Sequence, residues 1–223
     1  MGLDKKYQIF ISSTYTDLIE QRKKVRDAIL SMYNFPVGME LFGAANEEQW
    51  EIIKETIDSS DYYVLIVGHR YGTVIDKGPD AGISYTEKEF RYALEKGIPV
   101  LVYLIDPDVS VKPGDIEKEN PEKFEKFKEK VSTGRTVDWW KNSDDLAAKV
   151  TNDLYKQIAR TNRPGWIKAD RIDVEKSLKT ITDLTEQVMK LSEENKQLLI
   201  ENNNLKKQHE RSPELFLRLE PDS

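Results

Sequence analysis

The stretch "YYVLIVGHRYGTVIDKGPDAGISYTEKEFRYALEKGIPVLVYLI", Tyr62–Ile105, decides the fold. It opens on "YYVLIVG", a continuous apolar run of strand length, as a strand buried on both faces requires. It closes on a second such run, "IPVLVYLI", Ile98–Ile105. Between them lie a loop rich in Gly and Pro and a helical pattern from Ser84 to Lys96. Two doubly buried strands joined through a helix form a βαβ unit, whose right-handed crossover makes the strands parallel.

The same alternation extends in both directions. Towards the N-terminus, "YQIFI" (Tyr7–Ile11) reads as a strand that breaks into the polar loop "SSTYTD" (Ser12–Asp17). A helix follows with Leu18, Val25, Ala28 and Ile29 inward, and Thr16 or Asp17 is placed to cap it. "FPVGMELF" (Phe35–Phe42) reads as a strand interrupted by Gly38, and after the turn "GAAN" Asn46 is placed to cap the next helix. In that helix Trp50, Ile53 and Ile57 recur at i, i+3 and i+7, a core stripe rather than a ligand cage. Beyond Ile105, "NPEKFEKFKEKV" reads as a helix with Phe124, Phe127 and Val131 inward. "RTVDWW" reads as a short edge strand, and a closing helix turns Leu146, Val150, Leu154 and Ile158 inward. The expectation is an α/β domain over residues 1–163, a doubly wound five-stranded parallel sheet of order 2-1-3-4-5.

"NRPG" (Asn162–Gly165) punctuates the end of that domain, and residues 164–211 read as a linker and a parallel coiled coil. Its heptads place Ile181, Val188, Asn195 and Asn202 at a, and Leu184, Leu191, Leu198 and Leu205 at d. Val174 extends the a series backwards, although Ser177 breaks d. β-branched or Asn residues at a, with Leu at d, favour two parallel strands, so Val174–Leu205 is expected to make a homo-oligomer. Residues 212–223 turn apolar again and read as a tail or the start of a further domain.

Bulk composition narrows the function. The 223 residues carry a net charge of -6, so no global positive field draws nucleic acid or anionic lipid. There are no cysteines, which excludes thiolate catalysis, disulfides and cysteine zinc sites. The two histidines, His69 and His209, stand far apart, so no metal site is expected. "MGLDKKYQIF" lacks a signal-peptide core, and no run of about 18 apolar residues exists to span a bilayer. The expectation is a soluble, cytoplasmic protein.

In a doubly wound sheet, ligands bind beside the carboxyl ends of the strands. No Gly-x-Gly-x-x-Gly follows the first strand, and neither a phosphate loop nor a Gly-x-Ser-x-Gly elbow occurs. The polar residues at that edge are Ser12, Ser13, Tyr15, Asp17, Glu40, His69, Arg70, Tyr71, Glu87 and Glu89. "Ser84-Tyr-Thr-Glu87" matches a capping box, which gives Glu87 an ordinary task at the helix start. "Thr86-Glu-Lys-Glu89" fits the same box in a later register; in the first register Glu89 is surplus and placed to face the cleft.

"YQIFISSTYTDLIEQRKKV", "YYVLIVGHRYG" and "SYTEKEFRYALEKGIPVLVYL" together resemble a bacterial domain-of-unknown-function family related to TIR domains and nucleoside 2-deoxyribosyltransferases. The resemblance covers about residues 5–105 and implies a flavodoxin-like sheet. It also implies a place at the amino end of larger, often defence-associated proteins. Enzymes of this group cleave N-glycosidic bonds, in NAD or in nucleosides, without a further cofactor. Their key glutamate stands eight residues before a Gly and ten before a Pro, a spacing matched by Glu89, Gly97 and Pro99. The resemblance therefore selects Glu89 as catalytic, with Ser12, Ser13, Tyr15, Glu40, Arg70 and Tyr71 around NAD or a related nucleotide. The chain departs from the TIR pattern in having no Trp-Cys pair before Glu89. The alternative is a non-enzymatic protein-interaction or nucleotide-sensing module.

Overall fold

The computed structural model describes residues 5–38, 47–111, 113–135, 137–168 and 174–210. The chain divides into two compact units, Met1–Ile167 and Lys168–Ser223.

In the first unit five strands and five helices alternate. They are β1 (Gln8–Ser13), α1 (Ile19–Ser31), β2 (Phe35–Gly38), α2 (Glu47–Asp58), β3 (Tyr62–Val67), α3 (Tyr85–Glu95), β4 (Val100–Ile105), α4 (Pro121–Ser132), β5 (Val137–Trp140) and α5 (Ser143–Arg160). All four pairings are parallel and the order is β2-β1-β3-β4-β5, the doubly wound arrangement that the alternation predicts.

The pleat of the strands sorts the core into two layers. Phe10, Tyr63, Leu65, Val67, Val102 and Leu104 face α2, α3 and α4, where Ile53, Ile57, Phe90, Ala93, Phe124 and Phe127 meet them. Ile9, Ile11, Tyr62, Val64, Ile66 and Tyr103 face α1 and α5, against Val25, Ile29, Leu146, Val150 and Leu154. Every residue of β3 is buried, which is why its sequence carries no alternation.

Side-chain caps set the starts of α3 and α5. Ser84 caps α3 by accepting from Glu87 N at 3.2 Å. Asn142 caps α5 by accepting from Asp144 N and Asp145 N, whose carboxylates also suit the positive end of the helix. At α1 the expectation fails: the helix starts after Leu18, and neither Thr16 nor Asp17 caps it. Leu18 is buried in the α1–α5 layer, and its amide closes a turn onto Tyr15 O at 3.2 Å. That turn carries the Asp17 carboxylate away from the helix and against Gly68, where a Cβ would stand 2.9 Å from Asp17 Oδ2.

Two segments read as irregular are pinned by hydrogen bonds. The loop after β3 folds back on itself, with Ile75 N donating to Ile83 O and Gly82 N to Ile75 O. After α5 the chain returns to the start of β1, where Lys6 and Trp166 exchange backbone hydrogen bonds. Gly165, at φ +62, permits that approach, since a Cβ would meet Lys6 O at 3.1 Å. The second half of the expected β2, Glu40 and the Asn46 cap lie outside the described residues.

In the second unit α6 runs from Val174 to Glu210. Its 37 residues extend about 55 Å at 1.5 Å per residue. The a and d residues Ile181, Leu184, Val188, Leu191, Leu198 and Leu205 are all more than half exposed. Residues 212–223 lie outside the described residues. No helix among the described residues is long and apolar enough to cross a membrane.

Candidate functional site

β1 ends at the point where strand order reverses, between β2 and β3. Its last two residues diverge across the sheet. Ser12 follows Phe10 onto the α2–α4 face, and Ser13 follows Ile11 onto the other. Ser12 Oγ donates to Glu89 Oε2 at 2.6 Å, and both side chains are buried. Glu89 sits beside Phe90 and one turn before Ala93, on the face of α3 that packs against β1. It therefore faces the end of the sheet and not an open cleft, because α3 lies directly on the strands. Burial pushes the Glu89 carboxyl up to about 7, although the Ser12 hydrogen bond and the Arg22 charge pull it back.

Arg22 is the surprise of this region. It is 1% exposed, donates Nη1 to Ser13 Oγ at 2.7 Å, and reaches Ile11 O at 3.3 Å through Nη2. Its guanidinium thus stands at the end of β1, and its charge reaches Glu89. Tyr63, stacked on Phe10, completes the surroundings. Burial and the nearby Glu89 charge hold its hydroxyl well above the usual tyrosine range. Tyr63 lies close enough to Ser12 to feel its hydroxyl, yet Tyr63 Oη makes no hydrogen bond of normal geometry.

Glu87 does not complete a capping box. Its carboxylate accepts from Tyr71 Oη at 2.5 Å, from Arg91 at 2.6 Å and from Lys130 at 3.2 Å. Three strong donors outcompete one helix-end amide for the same oxygens. Burial raises the Glu87 carboxyl, but these donors outweigh it and hold the group below the usual range. Tyr71 is consequently spent on Glu87, and burial together with that bond pushes its hydroxyl up to about 12. Arg70 bonds Gly114 O and pairs with Asp115 at 3.7 Å, while Tyr15 is half exposed. Of the residues expected around one ligand, Ser12 meets Glu89 and Ser13 adjoins through Arg22. Tyr15, Arg70 and Tyr71 have other surroundings, and Glu40 lies outside the described residues.

The sequence matches the family model described as Domain of unknown function (DUF4062) over residues 8–155. The chain belongs to this family. The match runs from the first residue of β1 into α5 and so spans the whole sheet. No curated protein matches the chain.

At the end of β1 this DUF4062 domain buries a carboxyl group whose proton burial holds more tightly than usual, bonded by a hydroxyl and overlooked by a buried guanidinium. Ionised, such a group stabilises positive charge developing nearby; protonated, it donates a proton. Among the described residues no group of three or more His, Asp or Glu stands together as metal ligands. Sequence reading missed Arg22 and Tyr63. Arg22 had a signal: Leu18, Arg22, Val25 and Ile29 lie at i, i+4, i+7 and i+11, so a charge sits in the apolar register. Tyr63, inside a uniformly apolar strand, had none.

Proposed function

We propose that this DUF4062 domain binds NAD or a related nucleotide at the carboxyl edge of the sheet and cleaves its N-glycosidic ribose bond, with Glu89 acting on the ribose. The observation that carries the reading is the buried Glu89 carboxyl on Ser12, at the strand-order switch point. A buried carboxyl costs folding free energy that an apolar residue would not, so a function is the economical reason to keep it. The spacing of Glu89 to Gly97 and Pro99, shared with nucleoside 2-deoxyribosyltransferases, and the likeness to TIR domains support the same residue.

Cleavage breaks the bond between the anomeric carbon and the ring nitrogen, and its electron pair leaves with the base. Positive charge builds on the ribose, where ionised Glu89 stabilises it. Water then adds its oxygen to the anomeric carbon and releases a proton. A cationic nicotinamide ring favours the ionised form of Glu89, and so draws the group into its working state as it binds. Self-association through α6 would bring neighbouring domains together, as the heptads suggest. The setting in bacterial defence or signalling follows from the resemblance.

The test is nicotinamide release from NAD by the purified protein, with Glu89→Gln beside wild type. Release by wild type that falls at least a hundredfold in the variant supports the reading. No release, or equal release from both, sinks it. A second reading has its own observation: Glu89 is 2% exposed and Tyr71 is engaged elsewhere, as in a non-enzymatic interaction module. An unchanged melting temperature with NAD, ADP-ribose and nucleosides would favour that module.

A further inference from the structure

On the opposite face of the sheet edge from Glu89, a cleft of about 260 Å3 opens where β3, β4 and β5 end beside the starts of α1 and α5. Its lining is mixed: Leu18, Gly68, Ile105, Val109, Val111 and the ring of Trp140 give it an apolar part, and polar side chains such as Asp17, His69 and Ser143 give it the larger share. Three buried polar atoms of residues lining it have no hydrogen-bond partner: Asp17 Oδ1, His69 Nε2 and Trp140 Nε1. Trp140 as a whole is 1% exposed. Unpaired buried polar groups are costly and rare, so three in one cleft mark a place where hydrogen bonds await an occupant.

Hydrogen bonds pin much of the backbone around it. Asp17 is seated on Gly68, where a side chain would collide with it. His69 O accepts from Glu117 N, and Trp140 O accepts from Asp106 N at 2.8 Å. Ser143 Oγ donates to Glu20 Oε1 at 2.7 Å and ties α5 to α1 across the rim. Among the described residues, the charged lining comprises Asp17, Glu20, Asp115 and one cation, Lys141, whose amine pairs with Asp106 at 3.7 Å. Arg70 offsets Asp115, and the carboxylates of Asp17 and Glu20 disfavour phosphate. The indole N–H asks for an acceptor, the Asp17 oxygen asks for a donor, and the apolar part of the lining suits the face of a ring. The volume lies just below the range of roughly 300–1,000 Å3 usual for drug-sized ligands, which fits one ring and not a dinucleotide.

We propose that this cleft binds a small uncharged nitrogen heterocycle bearing an adjacent donor and acceptor, as a nucleobase edge or a ring carboxamide does. The acceptor of the ligand takes the Trp140 N–H and its donor meets Asp17, with His69 as the third contact. Neighbouring atoms cover the three groups in the free chain, so a rotation of Asp17 or a small shift of the Val109–Val111 wall accompanies binding. The inference does not rest on cleavage at Glu89, which belongs to the other face.

The test uses the full chain with its tryptophans labelled with nitrogen-15, and the Trp140 indole resonance assigned by Trp140→Phe. Nicotinamide, uracil, adenine and inorganic phosphate are titrated separately to millimolar concentration. The proposal expects at least one heterocycle to move the Trp140 indole resonance and leave those of Trp50 and Trp166 in place, with phosphate inert. Nicotinamide alone identifies a carboxamide site, and uracil or adenine a nucleobase site. In Asp17→Asn, which keeps an acceptor oxygen but loses the charge, binding weakens about tenfold, because a hydrogen bond to a charged group is roughly twice as strong as a neutral one. No movement with any heterocycle, movement with phosphate, or binding indifferent to Asp17→Asn overturns the proposal. A water-filled cleft gives the first of these.

Discussion

Ser12 Oγ and Glu89 Oε2 are separated by 77 positions in the sequence and by 2.6 Å in the fold. Neither side chain meets solvent, so the bond ties α3 to the end of β1 inside a low-dielectric interior. The desolvation that strengthens this bond also raises the Glu89 carboxyl from 4.5 to about 7.

Stability should therefore depend on this proton. The folded state holds it more tightly than the unfolded chain, so the stabilisation is complete below pH 4.5 and is lost as pH rises through about 7. A rise of this size corresponds to roughly 3 kcal/mol. Glu89→Gln, which keeps an acceptor for Ser12, should match wild type in acid and exceed it by up to about that amount above pH 7. Urea denaturation of both proteins across this range checks it; a difference that does not change with pH refutes the buried titration.

Glu87, two residues earlier, should behave with the opposite sign. Its carboxyl is held below 4.5, so its contribution exists above that pH and disappears as pH falls through the lowered value. Arg91 and Lys130 are 46% and 40% exposed, and water takes back much of their charge when the partner goes. Glu87→Gln should then cost about 1 kcal/mol at neutral pH and nothing in strong acid. The same denaturation series measures it, and a variant more stable than wild type at neutral pH contradicts the assignment.

The two glutamates show where sequence reading reached and where it stopped. Strand runs such as Tyr62–Val67 and the Phe124, Phe127, Val131 stripe announce themselves, because burial leaves a period in the chain. The Ser84 cap was equally legible, since it involves neighbours. The partners of Glu87 were not: Tyr71 comes from the loop after β3 and Lys130 from α4, and no local spacing joins them. Nor does spacing reveal that Glu89 lies beneath α3, which depends on how that helix rotates on the sheet. The cleft beside Asp17 and Trp140 was invisible for the same reason, since five separate segments build it.

Gly68, just after β3, carries no side chain because Asp17 and Leu18 occupy the space. A Cβ there would lie 2.9 Å from Asp17 Oδ2 and 3.0 Å from Leu18 Cδ2. Gly68→Ala should push both away and destabilise the domain by about 1–3 kcal/mol. A thermal midpoint equal to wild type would mean that the β1–α1 loop yields freely.

On α6 the exposed d residues Leu184, Leu191, Leu198 and Leu205 form one stripe with Asn195 and Asn202 between them. Asn at a tolerates burial when it meets another Asn across a parallel pair, which fixes register. Leu191→Asp with Leu198→Asp should therefore lower the native mass to that of one chain while the circular dichroism of the sheet domain persists. Light scattering reads the result, and a mass unchanged from wild type removes the coil from any role in assembly.

Arg22 offers the sharpest separation of electrostatics from packing. Its aliphatic stem fills the α1 register between Leu18 and Val25, while its guanidinium serves Ser13, Ile11 and the field at Glu89. Arg22→Met preserves the stem and removes only the charge and donors. Without that charge ionised Glu89 loses its attractive field, so the Glu89 midpoint should move above about 7. The lost bonds to Ser13 and Ile11 should cost about 1–3 kcal/mol as well. Carboxyl carbon-13 resonances of Glu89 read the first effect and denaturation the second. A midpoint that stays in place while stability drops would make Arg22 a strut for β1, with no electrical influence on the carboxyl. If the midpoint rises and nicotinamide release falls at fixed pH in proportion to the ionised fraction of Glu89, Arg22 acts through that carboxylate.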